Sequence, residues 1–229
     1  NLIISWIVNG PAGNLTLAGR RLNVTGDLTT GQGSAAVGLL TMQNAADTVV
    51  VGDDATFAGS PMTGALTAGV LLVGGDFSQV YVGSNWESFQ ASGAHRTVLN
   101  GTAAQTVSFT NPGTAGQTSF FQDLEIAKSG GSVSLGSAVF ANGQLRARRG
   151  AMQNVAGAGS TFSVRGLAVD SLVLDNAPLA TSVGAPTRLN NVTFQNYAAA
   201  ATPLTVSHTG AASAFTFAGL RFNTTPPTG

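Results

Sequence analysis

The chain has 229 residues, zero formal net charge, and only 9% of its residues are Asp, Glu, Lys or Arg, against roughly 25% in average soluble proteins. There is no basic stripe to neutralise phosphates, so the composition argues against nucleic-acid binding and against a polybasic membrane anchor. Cysteine is absent, which excludes disulfides, thiol chemistry and Cys-based metal sites.

Residues 1–10 are predicted to form an apolar N-terminal strand. The segment is shorter than the roughly 18 apolar residues of a membrane span, and it lacks the basic flank of a signal peptide. It is either the first strand of the chain's own first coil or a strand donated to a neighbouring subunit. The candidate assembly residues are Leu2, Ile3, Ile4, Trp6, Ile7 and Val8.

Residues 11–222 contain short apolar runs bounded by Gly, Asn, Asp or Pro, for example Thr48–Val51 and Val70–Val73. They recur roughly every 8–12 residues, a spacing typical of all-β proteins. Apolar residues with a helical period of 3.6 are nearly absent. We therefore expect an all-β fold, either a parallel β-solenoid or a β-sandwich.

An internal repeat favours the solenoid. Residues 22–30, 49–57 and 71–79 align without gaps and match Asp27, Asp54 and Asp76, which lie 27 and 22 residues apart. Residues 133–140 are a looser copy without the acid. Such offsets fit a parallel β-helix with coils of roughly 20–27 residues, each burying its inward side chains on the coils above and below. A β-sandwich remains the alternative.

The repeat blocks also carry a family resemblance. The blocks are "LTLAGRRLNVTGDLTT", "GALTAGVLLVGGDFSQ", "HRTVLNGTAAQTVSF" and "FFQDLEI". They resemble repeats in large bacterial secreted surface proteins of the adhesin-like parallel β-solenoid type. The resemblance implies an extracellular or cell-surface location in a bacterium and a role in adhesion or matrix architecture. It carries over no catalytic residue.

The three matched aspartates have two interpretations. They could form a Ca²⁺ site or a pair of catalytic carboxylates, but calcium needs six to eight oxygen ligands, and acidic nonapeptide repeats are absent. The Gly-Asp context instead predicts that each aspartate caps a turn by bonding to the backbone. With no nucleophile elbow or phosphate-binding loop, the sequence predicts a non-enzymatic protein with no catalytic, metal or cofactor-binding residue and no cofactor.

Aromatic residues concentrate in residues 77–96. Tyr81, Trp86 and Phe89 are candidate glycan contacts, because exposed aromatic rings stack on sugars. The alternative is a loop that packs its aromatic side chains over the solenoid.

The arginine and histidine residues were also assessed as possible contacts for an anionic glycan or a metal ion. Arg146, Arg148 and Arg149 form the one basic cluster, which either contacts an anionic glycan or is a solvated edge that deters aggregation. His95 and His208 have no metal-spaced partner and are expected at the surface or at corners.

The leading functional prediction is a structural or adhesive extracellular protein acting as a stiff β-rod. Residues 223–229 read as a C-terminal linker or tail, and no capping helix is predicted at either end. Neighbouring domains or end-to-end copies of the chain are therefore the expected partners, with glycans as a further candidate. The alternatives are a self-assembling filament subunit, a carbohydrate-binding module and, with least support, a polysaccharide-cleaving β-helix.

Overall fold

A computed structural model describes residues 1–4, 13–31, 38–81, 83 and 86–146 with their side chains, and beyond these only the backbone of the strands. All regular elements in this part of the chain are β-strands. Their bounds are β1 Leu2–Ile4, β2 Gly13–Thr16, β3 Arg21–Val24, β4 Leu28–Thr30, β5 Gly38–Thr41, β6 Thr48–Val51, β7 Ala55–Phe57, β8 Val70–Val73, β9 Phe77–Gln79, β10 Arg96–Leu99, β11 Gln105–Phe109, β12 Asp123–Ile126, β13 Val133–Leu135, β14 Val139–Ala147, β15 Asn154–Ala156, β16 Phe162–Val169, β17 Leu172–Asp175, β18 Leu179–Ser182, β19 Thr187–Gln195, β20 Val206–Thr209 and β21 Phe215–Asn223.

The strands stack as a parallel β-solenoid with three ladders, which confirms the predicted fold. The first ladder follows β1, β4, β7, β9, β11, β13, β15 and β17. The second begins with β2 and β5, continues through single bridges such as Met42–Leu66, and resumes in β14, β16, β18 and β20. The third follows β3, β6, β8, β10, β12 and the second half of β14. The later strands β19 and β21 run across a corner and belong to both the third and the first ladder.

The predicted repeat is reproduced residue for residue. Leu22 pairs with Val49 and Val49 with Leu71 in the third ladder, while Leu28, Ala55 and Phe77 align in the first. The offset between stacked residues reaches 30 in one coil, longer than predicted, because the corner that follows β10 is longer than the corner that follows β8. The looser copy is wrong in register, since Val133 stacks on Gln105 in the first ladder rather than in the third.

One corner between the third and first ladders requires glycine. A Cβ on Gly52 would collide with the carbonyl oxygen of Thr25, and one on Gly74 would collide with that of Gly52. The backbones of successive coils therefore approach too closely here for any side chain. This is the physical reason for Gly52 and Gly74, which precede Asp54 and Asp76 by two positions.

The interior is filled by aliphatic side chains and a cluster of phenylalanines. Inward positions alternate with outward ones along each strand, as in the buried Val49 and Val51 of β6. Phe77 lies at the centre of the aromatic cluster, with ring centroids between 4.8 and 5.5 Å from four neighbours, Phe57, Phe89, Phe109 and Phe121. The core is thus continuous along the stack.

The N-terminal strand belongs to the chain's own first coil in this structure. Leu2 to Ile4 pair in parallel with Leu28 to Thr30, and Ile4 is buried in the shared core. Ile3 points outward and is 49% exposed. Trp6, Ile7 and Val8 lie outside the described residues, as do residues 224–229 of the predicted tail.

Candidate functional site

The matched aspartates form a ladder of side-chain caps. The Asp54 N–H donates to Oδ1 of Asp27 at 3.2 Å, and the Asp76 N–H donates to Oδ1 of Asp54 at 2.7 Å. This series of caps continues in both directions: the Asp27 N–H donates to Oδ1 of Asn1 at 3.1 Å, and the Thr106 N–H donates to Oδ1 of Asp76 at 2.7 Å. Each side chain therefore satisfies a backbone donor of the next coil.

This arrangement supports the turn-capping interpretation over a metal or catalytic one. Asn1 performs the same role with an amide oxygen, so the contact needs an acceptor and not a negative charge. Within the described residues, no group of His, Asp and Glu side chains is arranged to hold a metal ion.

Substitutions of Asp54 separate the two interpretations. Asp54→Asn keeps the acceptor, and we expect its free energy of unfolding to stay within about 0.5 kcal/mol of wild type. Asp54→Ala removes the acceptor and leaves the Asp76 N–H without it, so we expect a loss of about 1 kcal/mol. Urea unfolding of both variants measures this; a large loss in Asp54→Asn would instead show that the charge itself is needed.

The candidate glycan-contact residues are only partly brought together. The rings of Tyr81 and Trp86 stack with centroids 3.8 Å apart at 23°, and Trp86 is 37% exposed. Phe89 is fully buried and packs among the core phenylalanines, so its prediction as a glycan contact is wrong: the chain turns inward between Trp86 and Phe89. Ser88 marks that turn, since its buried hydroxyl donates to the carbonyl oxygen of Phe57 at 3.0 Å.

His95 lies at the corner between Ala91 and β10, as the sequence predicted, but its side chain faces the core and not the surface. It is fully buried, its ring meets the edge of Phe89 at 6.1 Å between centroids, and neither ring nitrogen has a hydrogen-bond partner among the described residues. Burial without a partner disfavours the charged form and lowers the pKa of His95 from 6.5 to about 4. His208 lies in β20, and its side chain is outside the described residues.

The chain's one lysine, Lys128, forms a buried polar node. Its Nζ donates to the carbonyl oxygens of Gly101 at 3.0 Å and Ala103 at 2.8 Å and to Oε1 of Gln105 at 2.5 Å. Gln105 in turn accepts from the Gly101 N–H at 3.0 Å and donates to the carbonyl oxygens of Val73 and Gly75. The node joins the corners of three successive coils, and sequence reasoning missed it.

We expect Lys128→Met to lower the free energy of unfolding at pH 7 by about 2 kcal/mol. Burial lowers the pKa of the Lys128 ammonium to about 8, opposed by the Asp76 carboxylate, so part of the gain from its hydrogen bonds is offset by desolvation. Two backbone carbonyl acceptors left without this donor, at about 1–3 kcal/mol each, outweigh that relief, whereas Oε1 of Gln105 keeps the Gly101 N–H as its donor. Because the unfolded pKa is higher, wild-type stability should rise between pH 8 and about 10.5, and this rise should be missing in Lys128→Met.

Denaturant unfolding at a series of pH values measures both effects. If Lys128→Met has the same free energy of unfolding as wild type at pH 7, and if its stability still rises between pH 8 and about 10.5, the Lys128 node does not stabilise the fold as its geometry indicates.

A charged groove lies on the outer surface of the third ladder. It has a volume of about 240 Å³ and is lined by Ala45, Gly69, Val70, Ala94, Arg96, Asp123 and Arg146. Arg96 pairs with Glu125 at 3.0 Å, and Arg146 pairs with Asp123 at 2.9 Å. Of the predicted basic cluster, Arg146 thus lines the same groove as Arg96, which is distant in sequence. The side chains of Arg148 and Arg149 lie outside the described residues.

The described part of the chain contains no helix that is long and apolar enough to cross a membrane.

Comparisons with known proteins add nothing to this description. No family model, no curated protein and no solved structure matches the chain.

Proposed function

We propose that the chain acts as a stiff, non-enzymatic β-rod in the cell-surface or matrix architecture of a bacterium. The observation that carries the proposal is the uninterrupted parallel register of the third ladder from β3 to β12. Strands pair with those above and below, so bending the stack would break backbone hydrogen bonds on one side. The core, the aspartate ladder and the Lys128 node add contacts between the same coils.

The composition supports an architectural role. Few charged side chains are available for chemistry, and most charges in the described part are committed to caps or ion pairs, as with Asp54 and Arg96. The extracellular and bacterial setting is part of the proposal and comes from the resemblance of the repeat blocks.

Small-angle scattering of the purified protein tests the rod directly. We expect a pair-distance distribution with the extended tail of a rod and a cross-section that does not change with concentration. A distribution typical of a sphere would contradict the proposal. Surface labelling of the producing cells with an antibody against the chain would test location, and exclusively internal labelling would remove the extracellular part.

Self-assembly into a filament is a second candidate. In the described residues β1, β2 and β3 each pair with a strand on one side only, and such edges can add a further strand. Negative-stain microscopy at high protein concentration distinguishes the two: discrete short rods would contradict the filament.

Carbohydrate binding through the Tyr81–Trp86 pair is a third candidate, supported by the exposure of Trp86. A glycan array tests it, with Trp86→Ala as the control. Binding by the wild type that disappears in Trp86→Ala would support it, whereas a wild type that binds no glycan would exclude it.

A further inference from the structure

The groove defined by Arg96, Asp123 and Arg146 runs along the axis of the solenoid. Arg96 stacks between Val70 and Asp123 in register, and Arg146 stacks on Glu125. The groove therefore crosses successive coils, which lie about 4.8 Å apart. Its shape suits an extended ligand parallel to the rod.

Small residues leave this groove open. Ala45, Gly69 and Ala94 lie at the chain segments that enter β6, β8 and β10. The lining contains no aromatic and only one branched apolar side chain, Val70. Such a surface lacks the pockets that hold the side chains of a bound peptide, and it gives a polymer without bulky side groups close access to the guanidinium groups.

The chemistry offered by the groove is mainly that of hydrogen-bond donors. A guanidinium carries five N–H donors, and the ion pairs join one terminal nitrogen of Arg96 to Glu125 and one of Arg146 to Asp123. The arginine side chains are 29% and 41% exposed, whereas Asp123 is 20% and Glu125 only 2% exposed. Asp123 also accepts from the Gln144 N–H at 2.9 Å. A ligand in the groove therefore meets guanidinium donors more than carboxylate acceptors.

We propose that this groove binds an acidic polysaccharide whose sugar carboxylates contact Arg96 and Arg146. The two arginines lie on strands two coils apart, about 10 Å along the axis, so a polymer with repeated carboxylates can reach both. Guanidinium groups bind carboxylates in a bidentate manner. The site is separate from the Tyr81–Trp86 pair, and it would attach the rod to an anionic matrix.

The test is titration calorimetry with an oligogalacturonate of about six sugars. We expect binding that weakens as salt is raised and that is lost when the carboxylates of the same oligomer are methyl-esterified. Arg146→Gln and Arg96→Gln should each weaken binding about tenfold or more, since each removes a charge-assisted contact. Arg21→Gln is the matched control, because Arg21 is an exposed arginine of the same ladder that bonds only to Asn23 in the described part.

Thermal melting of each variant accompanies the titration, because Arg96→Gln removes a partner of the buried Glu125. Arg146→Gln involves the more exposed pair and keeps the test independent of that effect. The proposal is overturned if the esterified oligomer binds equally well, if Arg146→Gln behaves like Arg21→Gln, or if polyglutamate binds as tightly as the sugar. Loss of binding in Trp86→Ala alone would place the glycan at the aromatic pair instead.

Discussion

Phe77→Ala is expected to lower the free energy of unfolding by about 3–5 kcal/mol, the largest effect of any substitution considered. Phe77 is fully buried, and its ring contacts four other phenylalanine rings. Removing it opens a cavity inside a stack whose backbone is held by parallel pairing on both sides, with β7 and β11. The coils cannot close over the gap without breaking those ladders, so the cavity persists.

The aromatic contacts raise the expected loss above that of an aliphatic truncation. Edge-to-face and offset ring pairs contribute about 0.5–1.5 kcal/mol beyond the area that they bury. Phe77→Leu fills part of the space and should lose less than Phe77→Ala. Trp86→Ala removes an even larger ring from a partly exposed site, and it serves as the control for the loss of an aromatic side chain as such.

Urea unfolding followed by far-ultraviolet circular dichroism measures the three variants. The midpoint should fall most in Phe77→Ala, at an unchanged dependence on denaturant concentration if the fold is otherwise retained. A loss in Phe77→Ala no larger than in Trp86→Ala would mean that the phenylalanine cluster does not contribute to stability as its packing indicates.

The repeat was predictable because the same kind of corner recurs in the first three coils. Gly52 and Gly74 are needed where backbones nearly touch, and Asp27, Asp54 and Asp76 are needed to bond the next coil's backbone. These local demands leave a readable pattern at a fixed distance from the inward Val and Leu positions. The gapless alignment of three segments therefore predicted the register correctly.

The looser copy failed because that pattern fades after the third coil. Thr106 and Ser134 follow Asp76 in the same outward column, so the acid that marks the corner is gone. Residues 133–140 match the repeat in polarity, but alternating apolar residues fit any of the three ladders equally well. Without the glycine-aspartate marker, composition cannot distinguish one face of the solenoid from another.

The sites were harder to predict because they depend on which coils lie next to each other. Arg96 and Arg146 line one groove although they are 50 residues apart in sequence, and no local motif connects them. Lys128 follows β12, in which charged and apolar residues alternate, and precedes a Ser-Gly-Gly turn, so the sequence indicates an exposed corner. In the structure Lys128 is buried, and its ammonium donates to the carbonyl oxygen of Gly101 on the neighbouring coil. The sequence alone does not show which coils are neighbours.

Phe89 and His95 are the converse case, because the sequence indicated exposed side chains and the structure buries them. Both lie in a segment with little repeat character, so the sequence indicated a surface loop. In the structure this segment returns to the core through the pairing of Leu66 with Ala91 and of Gln90 with Phe120. These single bridges are too short to leave a strand-like pattern of alternating residues.

Acid should destabilise the protein through His95 by up to about 3 kcal/mol, as its pKa falls from 6.5 in the unfolded state to about 4 in the folded state. Above pH 6.5 both states are neutral at this residue, and its contribution is fully present. Between pH 6.5 and 4 the unfolded state binds a proton that the folded state does not, so stability falls by about 1.4 kcal/mol per pH unit. Below pH 4 the folded state binds the proton too, and this loss levels off.

The measurement is the free energy of unfolding from pH 7.5 to 3.5 for wild type and His95→Leu, which fills the site with an apolar side chain and removes the titration. Subtracting the two curves cancels the carboxylates that both proteins share, so the difference isolates the imidazole. We expect that difference to shift steadily in favour of His95→Leu as the pH falls from 6.5 to 4, whatever its value at pH 7.5. A difference that stays constant across this range would mean that His95 gains a proton as readily in the folded protein as in water, which is incompatible with a fully buried ring that has no hydrogen-bond partner among the described residues.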